Sequence, residues 1–517
     1  MAKRNLLVIL CDQLRPDFLT VYGGRGVPTP NIERLAAMGV VFERAITVST
    51  VCAPSRASMM TGRYVSDHQV WSNDLPFREG LEYLAQRMGA LGYATGAFGK
   101  LHHYPARDSK GFHVFEPMEE GRLGEQEPYF QWLKARHPEI TGIWNHQDHT
   151  FDFSEEEYYE HWIASRAIEF IRAQREQPFL AWVSFQGPHT PFDPPREVKG
   201  SCDPSALPRP LVWPKGQVSP DIPLYREVTA AVPGLEAIMK IRLAYAEMIV
   251  AIDRQIGRLL DELERLGLLE TTTIVFSSDH GDMLGDYGQN QKGPMPYRGQ
   301  LDIPLILANH PAIAAGTRSR QLAGNLDLPG TCLDIAGADR LIGFSRSLLD
   351  LAQPSPRQPR TVNFSEFCNS IKTVEDERYR FSYYPFTGQC QLFDRVADPD
   401  ERRNLADDPA HAPVRIRMLQ HIIDFLALNG GVRVEAHDFV PRQQDGVATK
   451  LPGYQHHFPV LYPLNAREVE LLTQAGLDAS YNDFCRNKPV TRHYAKPYWN
   501  EPTLPPGGPE QERTSDR

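Results

Sequence analysis

Four short apolar runs along the chain each stop abruptly at ionisable residues. LLVILC, over 6–11, stops at Asp12 and Gln13, and the run in YATGAFGKLHH stops at Lys100, His102 and His103. PFLAWVSFQGPHTPF carries its apolar run to His189, and TTTIVFSSDHGD passes into Asp279, His280 and Asp282. Each run has the length of a strand buried on both faces, as in a parallel sheet. Ile249, Ile252, Ile256, Leu259, Leu263 and Leu266 recur at helical spacing, and Gly267 closes that stripe just before the strand expected over 273–276. Helices alternating with buried strands predict an α/β fold with a large, mixed, mostly parallel sheet and helices on both faces. In such sheets ligands gather outside the carboxyl ends of the strands, so the four polar endings are placed to share one crevice.

QPSPRQP, over 353–359, reads as a linker. It divides the chain into a catalytic unit over 1–355 and a smaller C-terminal unit over 360–517. In the smaller unit RYRFSYYPF and QCQLFDR read as strands of a short antiparallel sheet, and 414–428 as a helix. Two long segments of the larger unit read as lids or binding walls: 103–161, rich in aromatics and histidines, and 200–233, rich in proline. The terminal stretch 492–517 carries Tyr494, Tyr498 and Trp499 between prolines. Too aromatic for a solvated tail and too irregular to form a core, it is expected to pack along a second subunit of a homodimer, with the polar end from Pro505 left disordered.

Composition narrows the picture. The 517 residues are 41% hydrophobic and 23% charged, ordinary for a globular chain that buries a sizeable core. With 55 Lys plus Arg against 65 Asp plus Glu, the net charge of -10 excludes a surface built for nucleic acid. Any anion must therefore meet cations gathered in a pocket. The first apolar run is too short for a signal-peptide core or a membrane span, so the expectation is a cytoplasmic protein with no membrane partner. Seven scattered cysteines with no CxxC pair form neither a disulfide framework nor a zinc ribbon. His146 and His149 lack a second ligand cluster and read as structural or surface residues, and Gly23, Gly24 and Gly26 form no phosphate-binding fingerprint.

One cysteine is set apart by its neighbours. Cys52-Ala53-Pro54-Ser55-Arg56, followed by Thr61-Gly62-Arg63, fits the pattern C-x-P-S-R-x-x-x-x-T-G-R without a gap. GKLH with Lys100 and His102, PHTP with His189, SDHG with Asp279 and His280, Lys292 ahead of IPLIL, and QLFDRVADPDERRNLA accompany it. On these motifs, spread over about 5–307 and again in the C-terminal unit, the chain resembles the type I sulfatases and the related phosphonate monoester hydrolases of the alkaline phosphatase superfamily. The resemblance implies arylsulfatase-like, metal-dependent hydrolysis of small anionic sulfate monoesters. It also implies a maturation enzyme that converts Cys52 to formylglycine. One hydroxyl of the hydrated aldehyde would attack sulfur, and the other, losing its proton, would expel sulfate; a serine could complete only the first half.

The same resemblance assigns roles. Arg56 would hold the deprotonated diol close to the metal, Lys100 and Lys292 would neutralise the sulfuryl oxygens, and Lys292 or His102 would stand near the leaving or attacking group. His189 is the candidate acid for the departing alcohol. Residues 55–60 read as the start of a helix whose free N–H groups favour an anion. Asp12, Gln13, Asp279 and His280 are the implied ligands of one divalent ion; their oxygens suit calcium, and the imidazole leaves manganese or zinc open. The better-known arylsulfatases carry Asp-Asp and Asp-Asn at these pairs. Asp12-Gln13 and Asp279-His280 look more like the phosphonate monoester hydrolases and choline sulfatases, and Asn73 resembles a substrate-contacting asparagine of those hydrolases. A phosphonate monoester or phosphodiester hydrolase with the same nucleophile is therefore the alternative, and a non-catalytic ligand-binding relative is a third reading.

Overall fold

The structure, a computed structural model, describes residues 3–142, 150–212, 234–338, 342–385 and 387–429. His146, His149, most of the proline-rich segment and the aromatic stretch 492–517 lie outside the described residues.

Among the described residues ten strands belong to the larger unit: β1 (Asn5–Cys11), β2 (Gly39–Phe42), β3 (Ala45–Ile46), β4 (Ala94–Gly99), β5 (Val114–Pro117), β6 (Phe179–Ser184), β7 (Thr272–Ser278), β8 (Leu305–Ala308), β9 (Thr317–Ser319) and β10 (Ala323–Gly324). Eight of them form one sheet in the order β5-β4-β6-β1-β7-β8-β2-β9, and β3 pairs with β10. The four apolar runs of the sequence are β4, β6, β1 and β7, adjacent in space and mutually parallel. Register places Gly99 beside Ser184, Leu10 beside Ser184 and Cys11 beside Ser278, so all four polar endings leave the same edge. β8 runs antiparallel to both β7 and β2, which makes the sheet mixed.

Alternation within β1 explains why its run is continuously apolar. Leu7 and Ile9 enter a core shared with the helices Tyr159–Ala173 and Leu235–Arg265, whereas Leu6, Val8 and Leu10 enter a second core shared with Leu84–Ala90 and Leu328–Ile335. A strand between two cores has no solvent face on which polar residues are tolerated. The long helix also supports the site directly: the Tyr245 hydroxyl donates to the Gln13 carbonyl at 2.7 Å and accepts from the Arg15 N–H at 2.9 Å.

Further on, β11 (Asn363–Phe367), β12 (Ile371–Glu375), β13 (Tyr379–Tyr384) and β14 (Gln389–Asp394) form an antiparallel sheet in chain order, covered by the helix Ala412–Asn429. Buried Arg380 of this sheet reaches across to Asp302, just ahead of β8, while also pairing with Glu375 and Glu401. Segment 103–161, read from the sequence as a lid or binding wall, contributes edge strand β5 and the helix Pro128–Lys134. β5 is four residues long and half-buried, too short for periodicity to reveal. Among the described residues no helix is long and apolar enough to cross a membrane.

Candidate active site

Cys52 opens the helix Cys52–Thr61, three residues ahead of the expected start. Pro54 does not prevent this, because first-turn residues need no N–H for the helix ladder. The helix is buried along its whole length. It ends at Gly62 with φ 63°, where a side chain would collide with the Ile342 carbonyl, which accounts for the Thr61-Gly62 part of the motif. At the other end the first turn is not left open. The Ala53 N–H donates to Asn73 Oδ1 at 3.1 Å, and the Ser55 N–H to the Val51 carbonyl at 3.1 Å. Asn73 is thus brought to the nucleophile helix as a cap on its N-terminus.

The four strand endings converge on Cys52. Its Sγ lies 2.7 Å from Lys292 Nζ, 3.2 Å from His280 Nε2 and 3.8 Å from Asp12 Oδ1. Arg56, one helical turn on, is a buried clamp. Its Nε meets Asp279 Oδ2 at 2.9 Å, while its terminal nitrogens meet Asp12 Oδ2 at 3.2 Å, the Lys100 carbonyl at 2.5 Å and Ser184 Oγ at 2.7 Å. One guanidinium therefore ties together the ends of β1, β4, β6 and β7, which a lysine's single ammonium could not do. Lys100 Nζ stands 2.5 Å from Asp12 Oδ2 and 2.6 Å from Glu120 Oε1. Its approach depends on Gly99, whose φ of 90° and contact with the Ser184 carbonyl exclude a side chain.

Charges set the protonation states. Burial would raise the Asp12 carboxyl, yet Lys100, His189, Lys292 and Arg56 together hold it well below the usual carboxylate range. Burial works against the charge on Lys292 as well, but Cys52, Asp12 and Glu120 raise it above an ordinary lysine. Burial lowers His280, keeping it neutral. Its Nδ1–H donates to the Gly281 carbonyl at 2.8 Å, so Nε2 presents a lone pair toward Cys52, Asp279 and Asp12.

Asp12, Cys52, Asp279 and His280 offer ligand atoms that all lie within 4.8 Å of one another. Gln13 joins them with φ 70°, a strained setting for a residue with a side chain. Its N–H donates to Asp279 Oδ1 at 2.9 Å and its Nε2 to Asp282, while its buried Oε1 has no partner among the described residues. An orphaned buried carbonyl beside two carboxylates and an imidazole lone pair fits a divalent cation, which would supply the missing contact.

His189 and His102 part company. His189 Nδ1 lies 2.5 Å from the Thr190 carbonyl and 3.2 Å from Glu120 Oε1, which leaves Nε2 facing Lys292 Nζ at 2.6 Å. His102, expected near the reacting group, has its Nε2 engaged by Arg122 at 2.7 Å, and among the described residues no hydrogen bond joins it to Cys52 or Lys292. Burial and the cations Arg122 and Lys100 hold it neutral.

Sequence reasoning missed Glu120 and Asn325. Asn325 is buried behind the nucleophile, with Nδ2 2.9 Å from both Ser55 Oγ and the Asp279 carbonyl. Neither residue belongs to a motif quoted above. The only sequence cue for Asn325 is the turn-like GNLDLPG around it.

A nucleophile position enclosed by fixed cations, on the carboxyl edge of a doubly wound sheet, defines a hydrolase of anionic esters. The family model described as Sulfatase matches residues 4–338, and that for the C-terminal part of N-sulphoglucosamine sulphohydrolase matches 285–427. The chain belongs to the sulfatase family and is a sulfuric ester hydrolase. It is 28% identical over 460 residues to an arylsulfatase of Clostridium perfringens, covering 81% of this chain and 94% of that one. It is 27% identical to a multifunctional alkaline phosphatase superfamily protein of Trinickia caryophylli, covering 80% and 93%. Among solved structures, a phosphonate monoester hydrolase of Agrobacterium radiobacter superposes with a TM-score of 0.70 at 26% identity, over 83% of this chain and 96% of the other.

Proposed function

We propose that this sulfatase cleaves sulfate monoesters of small phenols and alcohols through a formylglycine made from Cys52 by a maturation enzyme. One divalent ion, calcium first and manganese or zinc next, would be held by Asp12, Gln13, Asp279 and His280. The observation that carries the reading is the convergence on one buried thiol of two carboxylates, an imidazole lone pair and the Lys292 ammonium, with the orphaned Gln13 carbonyl beside them. Sγ marks the place where the oxygens of the converted side chain would stand. Formylglycine supplies a hydrate with one oxygen to attack sulfur and a second to release sulfate; the cation, when bound, stabilises negative charge there.

The remaining work falls to the chain's own side chains. Arg56 fixes the Asp12 and Asp279 carboxylates in one orientation. Lys292, touching both Sγ and His189, stands where it can neutralise a sulfuryl oxygen. Lys100 is held for the same purpose between Asp12 and Glu120. His189, with Nδ1 tied back, directs Nε2 toward the leaving oxygen. Asn73, through its amide nitrogen, is placed to meet substrate beside Ala53. We extend the proposal to a homodimer, supported by the aromatic stretch 492–517 of the sequence; light scattering on the full chain checks it, with a monomer refuting it.

Phosphonate monoester hydrolysis by the same residues is the second reading, favoured by Gln13 and His280 in the ligand cluster and by the Agrobacterium superposition. Rates on an aryl sulfate and an aryl phosphonate monoester, measured side by side, decide between them. A large excess for the phosphonate overturns the sulfate preference. Mass spectrometry of the peptide containing Cys52, with metal analysis of wild type and Asp279→Ala, tests the cofactors. An unmodified thiol in active protein, or wild-type metal content in the variant, refutes the respective assignment.

A further inference from the structure

Glu120 is an acid inside a pocket for an anion, a placement that needs a reason. It follows edge strand β5 by a short loop, with φ 57°, and only 16% of its side chain is exposed. Its Oε1 receives Lys100 Nζ at 2.6 Å, His189 Nδ1 at 3.2 Å and Gln186 Nε2; its Oε2 receives Arg122 at 3.0 Å. Burial would raise this carboxyl, but Lys100, His189 and Arg122 hold it well below the usual carboxylate range, so it is an anion at neutral pH.

The two groups it holds that face the nucleophile differ in how much they need it. Lys100 has a second anchor, Asp12, at 2.5 Å. Among the described residues His189 has no second carboxylate as a hydrogen-bond partner; its other Nδ1 partner is the neighbouring Thr190 carbonyl. A proton on Nδ1 shared between these two acceptors fixes the tautomer and the ring plane, and leaves Nε2 as the nitrogen aimed at Lys292 and the space above Cys52.

We propose that Glu120 is the positioning residue of the general acid: its carboxylate orients His189 and stabilises the imidazolium that protonates the departing alcohol. This rests on the sulfatase reading and on His189 as the acid. Once Lys292 turns from His189 Nε2 to a sulfuryl oxygen, Nε2 is free to take a proton from solvent; as the nucleophile oxygen bonds to sulfur and the S–O bond to the alcohol breaks, that bond's electron pair goes to the alcohol oxygen and the Nε2 proton follows it. The imidazole is left neutral, with Nδ1–H still held by Glu120 and Thr190. Assistance of this kind matters most where the alcohol is a poor leaving group.

The test is the dependence of kcat/KM on leaving-group acidity, from nitrophenyl through phenyl to alkyl esters, for wild type, Glu120→Gln, His189→Ala and the double variant. Glu120→Gln is expected to lose about 10- to 100-fold on the alkyl ester, with kcat carrying the loss, and only about 3-fold on the nitrophenyl ester. The double variant is expected to be no steeper than His189→Ala alone. Glu120→Asp, which keeps the charge on a shorter arm, gives a milder steepening and serves if the glutamine variant does not fold. A uniform loss across the series, or none, overturns the proposal. Both sulfate and phosphonate esters are used, so a wild type silent on sulfates refutes the sulfate reading while the phosphonate series still decides the role of Glu120.

Discussion

Replacing Asn325 by alanine should weaken the fold and the site together. The side chain is fully buried, with Nδ2 at 2.9 Å from Ser55 Oγ and from the Asp279 carbonyl, 3.1 Å from Thr47 Oγ1 and 3.3 Å from the Ser278 carbonyl. Its Oδ1 accepts the Val48 N–H at 3.3 Å. Two amide hydrogens cannot serve four acceptors at full strength, so the two short contacts carry the energy, at about 1 kcal/mol net each. The Asp279 carbonyl keeps Ser55 Oγ at 2.8 Å and is not orphaned. The Val48 N–H loses its acceptor, at about 1–2 kcal/mol. The sum is about 3–4 kcal/mol, a large share of the roughly 5–15 kcal/mol that holds a typical domain. Urea denaturation followed by circular dichroism measures it. Asn325→Asp is the sharper probe, since an oxygen in place of Nδ2 would face two carbonyls and should cost more than alanine. A loss below about 0.5 kcal/mol for both variants would refute this account of how the nucleophile helix is fastened to the end of β7.

Two further expectations follow from buried groups away from the reacting centre. His68 accepts the Val70 N–H on Nδ1 at 3.1 Å and reaches Ser58 Oγ at 2.9 Å through Nε2, and burial lowers its pKa to about 3. Below about 6.5 the unfolded chain takes up a proton that the folded chain refuses, so this stability is full above that pH and drains as pH falls toward about 3, by up to about 1.4 kcal/mol per unit. Stability measured from pH 7 to 4 should decline less steeply in His68→Gln, and an unchanged slope would refute it. Arg380→Ala removes the fully buried one of two arginines, Arg380 and Arg395, that Glu375, Glu401 and Asp302 share, and should cost about 3 kcal/mol by denaturant titration; a loss under about 1 kcal/mol would show that Arg395 alone holds the network.

The strands that bear the site were legible because burial on both faces leaves a continuous apolar signature ending at the first polar residue. Asp12, Lys100, His189 and Asp279 each follow such a run. Their adjacency was not legible, since nothing local in β4 or β7 records that both lie within one strand of β1's immediate neighbourhood. The start of the nucleophile helix was misplaced by Pro54, which usually ends helices and is harmless only in the first turn. Glu120 was invisible for a different reason. Its importance comes from the Lys100 and His189 side chains that fold onto it, and the stretch MEEGR looks like any solvated turn. His102 shows the reverse: a motif residue whose Nε2 is engaged by Arg122, a partner that no motif announces.

Cys52 has no exposed surface in the folded chain, and its cover arrives late. An ester has to bring one atom to this position, whereas an enzyme acting on the thiol needs a length of backbone. Lys292 follows Cys52 by 240 residues. At about 5–20 residues per second of synthesis, roughly 12–48 s separate the emergence of the two. Until Asp279, His280 and Lys292 have been made, the thiol has no roof. Anything that alters it by gripping the surrounding chain has that interval and little more, and the active fraction of a preparation becomes a race between two clocks.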